Sequence, residues 1–360
     1  MNNAAERNYG IELFRIISML MVLTLHITCH GGVMAEASTL RSHAYLITSF
    51  MAYFVRCCVD CFALISGFVG YQEEEKPFKY HKYVSFWLQA VFYGLLGRMA
   101  VQLFANNPGR IEYGGAFFPV ITDDWWYFSA YTALFFLIPS INRLIRGLSS
   151  RQLHCTVLTL VVLFSLVETV SSNEPFRLDG GFSFLWLAIT YVIGAWVKRE
   201  KIHERLCHKK WAVLAFAFCE IIVSWIIVEK YGLSQLSSYT SPTILFFAWT
   251  LLIFFATVRI KQNSFRKLIR VFAPCAFGVY LMHNEKYIWF GLMKDAFRFV
   301  GHAPTLAIPV VVGGLAMACY LFASGIELIR MKLFSLAKVE PLAKKAEYKI
   351  RERFAKHTTL

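Results

Sequence analysis

Residues 11–29 read IELFRIISMLMVLTLHITC, a run that is apolar apart from Glu12, Arg15, Ser18, Thr24, His26 and Thr28. A hydrocarbon core about 30 Å thick is crossed by roughly 20 mostly apolar helical residues, and this run has that length. Comparable runs lie near 45–71, 83–105, 125–142, 153–170, 182–197, 211–229, 242–258, 272–292 and 304–327. The first run is read as retained rather than as a cleaved leader. Ala35-Glu36-Ala37 imitates a small-residue cleavage site, but Glu12, Arg15 and His26 interrupt the supposed apolar region.

Composition agrees with this reading. Of 360 residues, 57% are apolar, 16% aromatic and only 17% charged, with a mean hydropathy of +0.49. Soluble domains carry about 25% charge, so a soluble globular protein is excluded. The sequence predicts an all-α polytopic integral membrane protein with about ten transmembrane helices.

Loop charges set its orientation, because Lys and Arg are retained on the cytoplasmic side. One side collects Arg7, Lys76, Lys79, Lys82, Arg143, Arg146, Arg151, the run from Lys198 to Lys210, the run from Arg259 to Arg270, and the tail from Arg330. The other carries only Arg41, Arg110, Arg177, Lys230, Lys286, Lys294 and Arg298. Both termini are therefore expected to be cytoplasmic. The net charge of +14 is mostly topological signal, and no compact basic domain is left to bind nucleic acid. Residues 1–329 read as the membrane domain and 330–360 as a basic cytoplasmic tail, whose nine Lys and Arg suit a helix lying along anionic membrane lipid.

Nine cysteines are present, and most lie in apolar runs, where Cys behaves as a small hydrophobe. Their spacing, Cys57, Cys58 and Cys61 included, gives no disulfide framework or zinc pattern. No metal is implied.

Ionisable residues inside spans are costly and usually functional. Arg15 and His26 are eleven positions apart, which puts them on one face of the first helix about 16 Å apart along its axis. A shared interior cavity is one explanation. The other is that Arg15 reaches the cytoplasmic headgroups while His26 merely bonds a neighbouring helix. Arg56 and Asp60, at i and i+4, can neutralise each other on one helix. Tyr280 and His283 share a face of the ninth helix beside Asn284 and Glu285. Since the first and ninth helices both run outward, His26 and His283 are expected within a turn of the same depth. Trp125, Trp126 and Tyr127 read most simply as interfacial aromatics. Glu168 and Glu220 have no assigned role.

Together these segments resemble the membrane acyltransferase type 3 family, whose first helix carries an Arg, ten residues, then a His, as Arg15 and His26 do. VDCFALISGF at 59–68 is similar to the family's Val-Asp-x-Phe-Phe-x-Leu-Ser-Gly-Phe segment, with Cys61 and Ala63 as departures. WWYFSAYTALFFLIPSIN at 125–142 and FGVYLMH at 277–283 extend the likeness. The resemblance implies transfer of an acyl group, usually acetyl from cytoplasmic acetyl-CoA, to a hydroxyl of a cell-surface polysaccharide or lipid-linked glycan precursor, in a prokaryotic cytoplasmic membrane. Some members carry a fused extracytoplasmic hydrolase-like domain; here the acceptor either meets the membrane domain directly or a separate extracytoplasmic partner completes the transfer.

Such chemistry needs a base for the acceptor hydroxyl, and imidazole suits that role near neutral pH. His26 is the candidate base, whether for direct transfer or as the site of an acyl-enzyme. Arg15, with Arg56, is the candidate for holding the acyl-CoA donor through charge-assisted bonds. Asp60 or Glu12 would orient the group, His283 would touch acceptor or thioester, and Glu12, Tyr280 and Trp126 would contact the substrate. A transporter or flippase for an envelope precursor would share the spans and the cavity, and a silent scaffold would use Arg15 and His26 only to hold helices together. Neither accounts for the four matched segments.

Overall fold

The architecture described is that of a computed structural model covering residues 7–40, 42–75, 77–105, 109–171 and 173–357. Arg41 and Lys76, used above for orientation, and both chain ends lie outside the described residues. The chain is 80% helical, with no strand among those residues.

In order, the helices are α1 (Tyr9–Cys29), α2 (Val33–Leu40), α3 (Ser42–Phe54), α4 (Cys58–Gly70), α5 (His81–Phe104), α6 (Trp126–Gly147), α7 (Ser150–Val161), α8 (Glu168–Val170), α9 (Phe184–Arg199), α10 (Ile202–Arg205), α11 (Lys210–Tyr231), α12 (Pro242–Ala256), α13 (Asn263–Phe272), α14 (Ala276–His283), α15 (Lys286–Ile288), α16 (Ile308–Leu336) and α17 (Val339–His357). Wider turns over Val162–Val167 join α7 to α8. Asn8 starts α1 by accepting the amides of Gly10 and Ile11, which satisfies donors that no helical carbonyl can reach.

Eight helical stretches among the described residues are long and apolar enough to cross a membrane, where the sequence suggested about ten. The two that fall short have separate causes. Helix α9 has 16 residues, about 24 Å at 1.5 Å per residue, and most of it is buried by protein rather than lipid. Gly67 of α4 abuts the Tyr191 backbone, and Gly194 of α9 abuts the Leu64 backbone, so the two helices touch main chain to main chain. The segment near 272–292 is broken. Glu285 turns its carboxylate back onto the amides of Tyr287 and Ile288 at 2.9 and 3.0 Å, which ends α14 at His283 and starts the short α15.

The second predicted span is also interrupted, by a turn over residues 55–57 between α3 and α4. Buried polar groups tie the bundle together elsewhere. Glu327 of α16 accepts from Gln89 and Tyr93 of α5 at 3.1 and 2.8 Å and pairs through both oxygens with Arg330. Glu168 accepts the amides of Phe176 and Leu178 and so pins the loop before α9. Glu220 has one buried carboxylate oxygen without a hydrogen-bond partner.

Helix α16 continues to Leu336, so the boundary drawn at 329/330 falls inside it, and Arg330 belongs to the bundle. The following α17 docks on α5. Glu347 takes the His81 amide and imidazole Nδ1 at 3.0 and 2.6 Å, and Arg351 reaches both Glu347 and the Phe78 carbonyl.

Candidate active site

A cavity of about 510 Å³ opens beside the C-terminal half of α1. Its walls come from the C-terminal half of α1, the α3–α4 turn, the residues entering α6, the loops around Phe182 and Tyr239, and the broken segment after α14. Most of this surface is aromatic or aliphatic, and the polar groups that face it are few.

His26 is on the α1 wall. Its Nδ1 lies 3.0 Å from Nε2 of His283, so the two histidines do lie at a common level of the bundle. His283 is only 7% exposed, and its Nδ1 lies 2.6 Å from the Val279 carbonyl one turn back. The His26 ring meets Trp289 edge to face at a 4.6 Å centroid distance, and His30, one turn further along, stacks against the same indole at 3.7 Å. His30 Nε2 is bonded to the Trp289 carbonyl at 2.7 Å, so α1 grips the broken segment at two successive turns.

Arg56 occupies the α3–α4 turn on the opposing wall. The ion pair that the i, i+4 spacing of Arg56 and Asp60 would allow is not formed. Because the chain leaves the helix at 55–57, the two residues no longer share a helical face. Asp60 instead accepts Trp186 Nε1–H at 2.8 Å through Oδ1, while its Oδ2 and the Arg56 Nε are buried without partners. Arg56 makes no ion pair with any described residue. Asp60 therefore sits behind the wall that its neighbours Cys58, Val59 and Phe62 form.

Tyr280 and Trp126 both line the cavity. Tyr280 accepts Asn284 Nδ2–H at 3.1 Å. Trp126 packs against Phe182 at 4.7 Å, and Phe182 against Tyr239 at 5.0 Å, so Trp126 faces protein and cavity rather than the membrane interface. Arg15 and Glu12 are not on the cavity wall. Arg15 Nη1 pairs with Glu12 at 3.3 Å, Arg7 joins the same carboxylate at 3.2 Å, and the Arg15 side chain is 30% exposed. The structure thus brings together His26, His283, Arg56, Tyr280 and Trp126, and leaves Arg15 and Glu12 about three turns below on α1.

Several wall residues escaped the sequence reading. His30 follows His26 at i+4, a spacing that could have been noticed. Tyr239 and Phe182 come from loops with no motif to mark them. Behind the wall, Arg98 holds Glu285 and Asp124 at 3.0 and 2.8 Å, a pairing that no spacing in the sequence marks.

The acyltransferase-domain family model matches residues 8–324, a range that contains α1 through most of α16 and every cavity element. The chain belongs to the acyltransferase 3 family. No curated protein and no solved structure matches it. For this acyltransferase 3 chain, family membership makes acyl transfer the general activity and a multi-pass membrane protein the setting. The cavity then offers an imidazole nitrogen, a guanidinium without an ion pair to any described residue, and an aromatic lining within one partly open space.

Proposed function

We propose that this chain transfers an acyl group, acetyl in the simplest case, from cytoplasmic acyl-CoA to a hydroxyl of a cell-surface polysaccharide or lipid-linked glycan precursor, in a prokaryotic cytoplasmic membrane. The observation that carries this reading is His26 in the cavity wall, with its Nδ1 bonded to His283 and Arg56 unpaired on the facing wall.

The reaction needs a base, a charge stabiliser and a path for the donor. His26 removes the acceptor's proton as the hydroxyl oxygen attacks the thioester carbonyl. Negative charge then develops on the carbonyl oxygen, where a fixed cation in a site of low dielectric is most effective. We assign that role to Arg56, which lines the same cavity as His26. As the carbon–sulfur bond breaks, the thiolate leaves with the bonding pair and recovers the proton from His26, giving the ester and free CoA. The aromatic walls at Trp126 and Tyr239 offer apolar faces for a sugar ring, and Tyr280 with Asn284 offers polar contacts to its hydroxyls.

Arg15 lies about 16 Å below His26 toward the cytoplasm, a span that an extended pantetheine arm bridges. Arg266 and Arg270 of α13 gather around Tyr9 at the same end of α1 and are suited to the donor's phosphates. The test uses membranes containing the full chain and acetyl-CoA labelled on the acetyl group. Label should enter base-labile ester on extracted glycan or lipid-linked sugar, and His26→Ala at equal membrane abundance should abolish it. Equal labelling by both proteins removes His26 from the chemistry, and vesicle flux without dependence on acyl-CoA supports a transporter instead.

A further inference from the structure

The two histidines form one end of a three-member chain, Val279 carbonyl, His283, His26, and its direction can be read from hydrogen-bond chemistry. A carbonyl oxygen only accepts. At 2.6 Å from the Val279 oxygen, Nδ1 of His283 must therefore carry a hydrogen. In a neutral imidazole the other nitrogen is then bare, so Nε2 of His283 is an acceptor. The atom 3.0 Å from it is Nδ1 of His26, which must supply the hydrogen. His26 is thereby held as the Nδ1–H tautomer with its lone pair on Nε2, and no described residue hydrogen-bonds to that nitrogen.

The reverse arrangement would need His283 protonated on both nitrogens. That would add a cation beside a cavity that already holds Arg56 and Lys286, while Asp124 of the same wall is paired with Arg98 and no carboxylate of a described residue is bonded to either histidine. We propose that His283 is a positioning residue that fixes the tautomer of His26, making Nε2 of His26 the nitrogen that takes the acceptor's proton. The inference rests on the acyl-transfer reading for the base role, though not for the tautomer.

Both nitrogens of His283 are committed, one to Val279 and one to His26, so it has no free group for acceptor or thioester. Its role resembles that of the carboxylate that orients the histidine of a hydrolase triad, with one difference. A neutral imidazole takes the place of the anion, so orientation is supplied without a negative charge behind the base. Trp289 limits rotation of the His26 ring from its edge. The backbone origin of the chain matters too: α14 cannot shift the Val279 carbonyl without moving the helix, so the tautomer is set by the fold.

Two measurements on the full-length protein test this. In ¹⁵N-histidine-labelled protein, NMR should find His26 with hydrogen on Nδ1 and none on Nε2, together with a coupling across the hydrogen bond to Nε2 of His283. This readout does not require acyl transfer. In the labelled acetyl-CoA assay, His283→Leu removes the acceptor and should lower kcat by about 10² to 10⁴ with the donor KM unchanged. His283→Gln, whose Oε1 can occupy the place of Nε2, should recover most of that loss. A His26 with hydrogen on Nε2, or a His283→Leu variant with parental kcat, overturns the proposal. If the parent transfers nothing while the Nδ1–H tautomer is observed, the base role falls with the transfer reading and the tautomer assignment stands.

Discussion

Arg98 of α5 places Nη1 3.0 Å from a carboxylate oxygen of Glu285, and the same guanidinium reaches Asp124 with Nη2 at 2.8 Å and the Glu112 carbonyl with Nε at 2.8 Å. Glu285 is the residue whose carboxylate caps α15, and Asp124 immediately precedes the aromatic start of α6. One arginine, 2% exposed, therefore fixes two cavity walls relative to each other. Trp125 adds a further tie by donating from Nε1 to the Leu281 carbonyl at 3.0 Å.

Removing this arginine should cost more than a contact. Arg98→Met leaves two buried carboxylates facing each other without a cation, a situation that typically destabilises by about 3–5 kcal/mol. The expected result is a large fall in thermal midpoint of the detergent-solubilised protein and in membrane abundance. Arg98→Lys keeps a charge but cannot engage three partners in a fixed fork, and should fall between the parent and Arg98→Met.

Close packing of α4 on α9 gives a second expectation. A Cβ on Gly194 would collide with the Leu64 carbonyl and one on Gly67 with the Tyr191 carbonyl, both backbone atoms that cannot rotate away. Gly194→Ala should destabilise by about 1–3 kcal/mol, read as a lowered thermal midpoint. Gly313→Ala, at a position with open space around its Cβ, is the control and should leave the midpoint near that of the parent.

Hydrophobic run length was enough to read the helical membrane class, because apolar length is a direct physical requirement of the bilayer. The breaks were not legible. At 55–57 the pattern is apolar apart from Arg56, and at 283–286 the polar run His-Asn-Glu-Lys is flanked by apolar residues on both sides, so neither break interrupts the hydropathy of the whole segment. His26 and His283 could be paired from orientation and depth, since both follow from helix direction. The alternative of an Arg56–Asp60 ion pair fails because i, i+4 spacing gives contact only where the helix is continuous, and here it is interrupted at 55–57. The loop residues Phe182 and Tyr239 had no periodicity from which to be found, and their part in the wall exists only once α6 and α9 are in place.

The C-terminal helix α17 should respond to acid. Partial burial pushes the Glu347 carboxyl up, but hydrogen bonds from the His81 imidazole and amide and from Arg351 outweigh it and pull it down to about 2. A carboxyl depressed on docking stabilises the docked state fully above its free value of about 4.3, and that contribution is lost as pH falls from there toward 2. Limited proteolysis of α17 should therefore be slow at neutral pH and quicken below about pH 4. Glu347→Gln should show rapid cleavage already at neutral pH. A cleavage rate independent of both pH and this substitution would mean that the tail is held by its apolar contacts alone.

Arg56 allows the charge-stabilising and substrate-holding roles of a cavity cation to be separated. If its guanidinium meets the oxygen that becomes negative during transfer, its interaction is stronger in the transition state than in the ground state, and its loss appears in kcat rather than KM. Arg56→Gln should then lower kcat by about 10² to 10³ with acceptor and donor KM nearly constant. Because no carboxylate among the described residues pairs with Arg56, the substitution orphans no partner charge there, and protein abundance should remain close to that of the parent. A raised KM for acyl-CoA at parental kcat would instead make Arg56 a donor-binding group alongside Arg15, as the sequence first suggested. That result would leave the developing oxyanion to be met by another donor in the same wall.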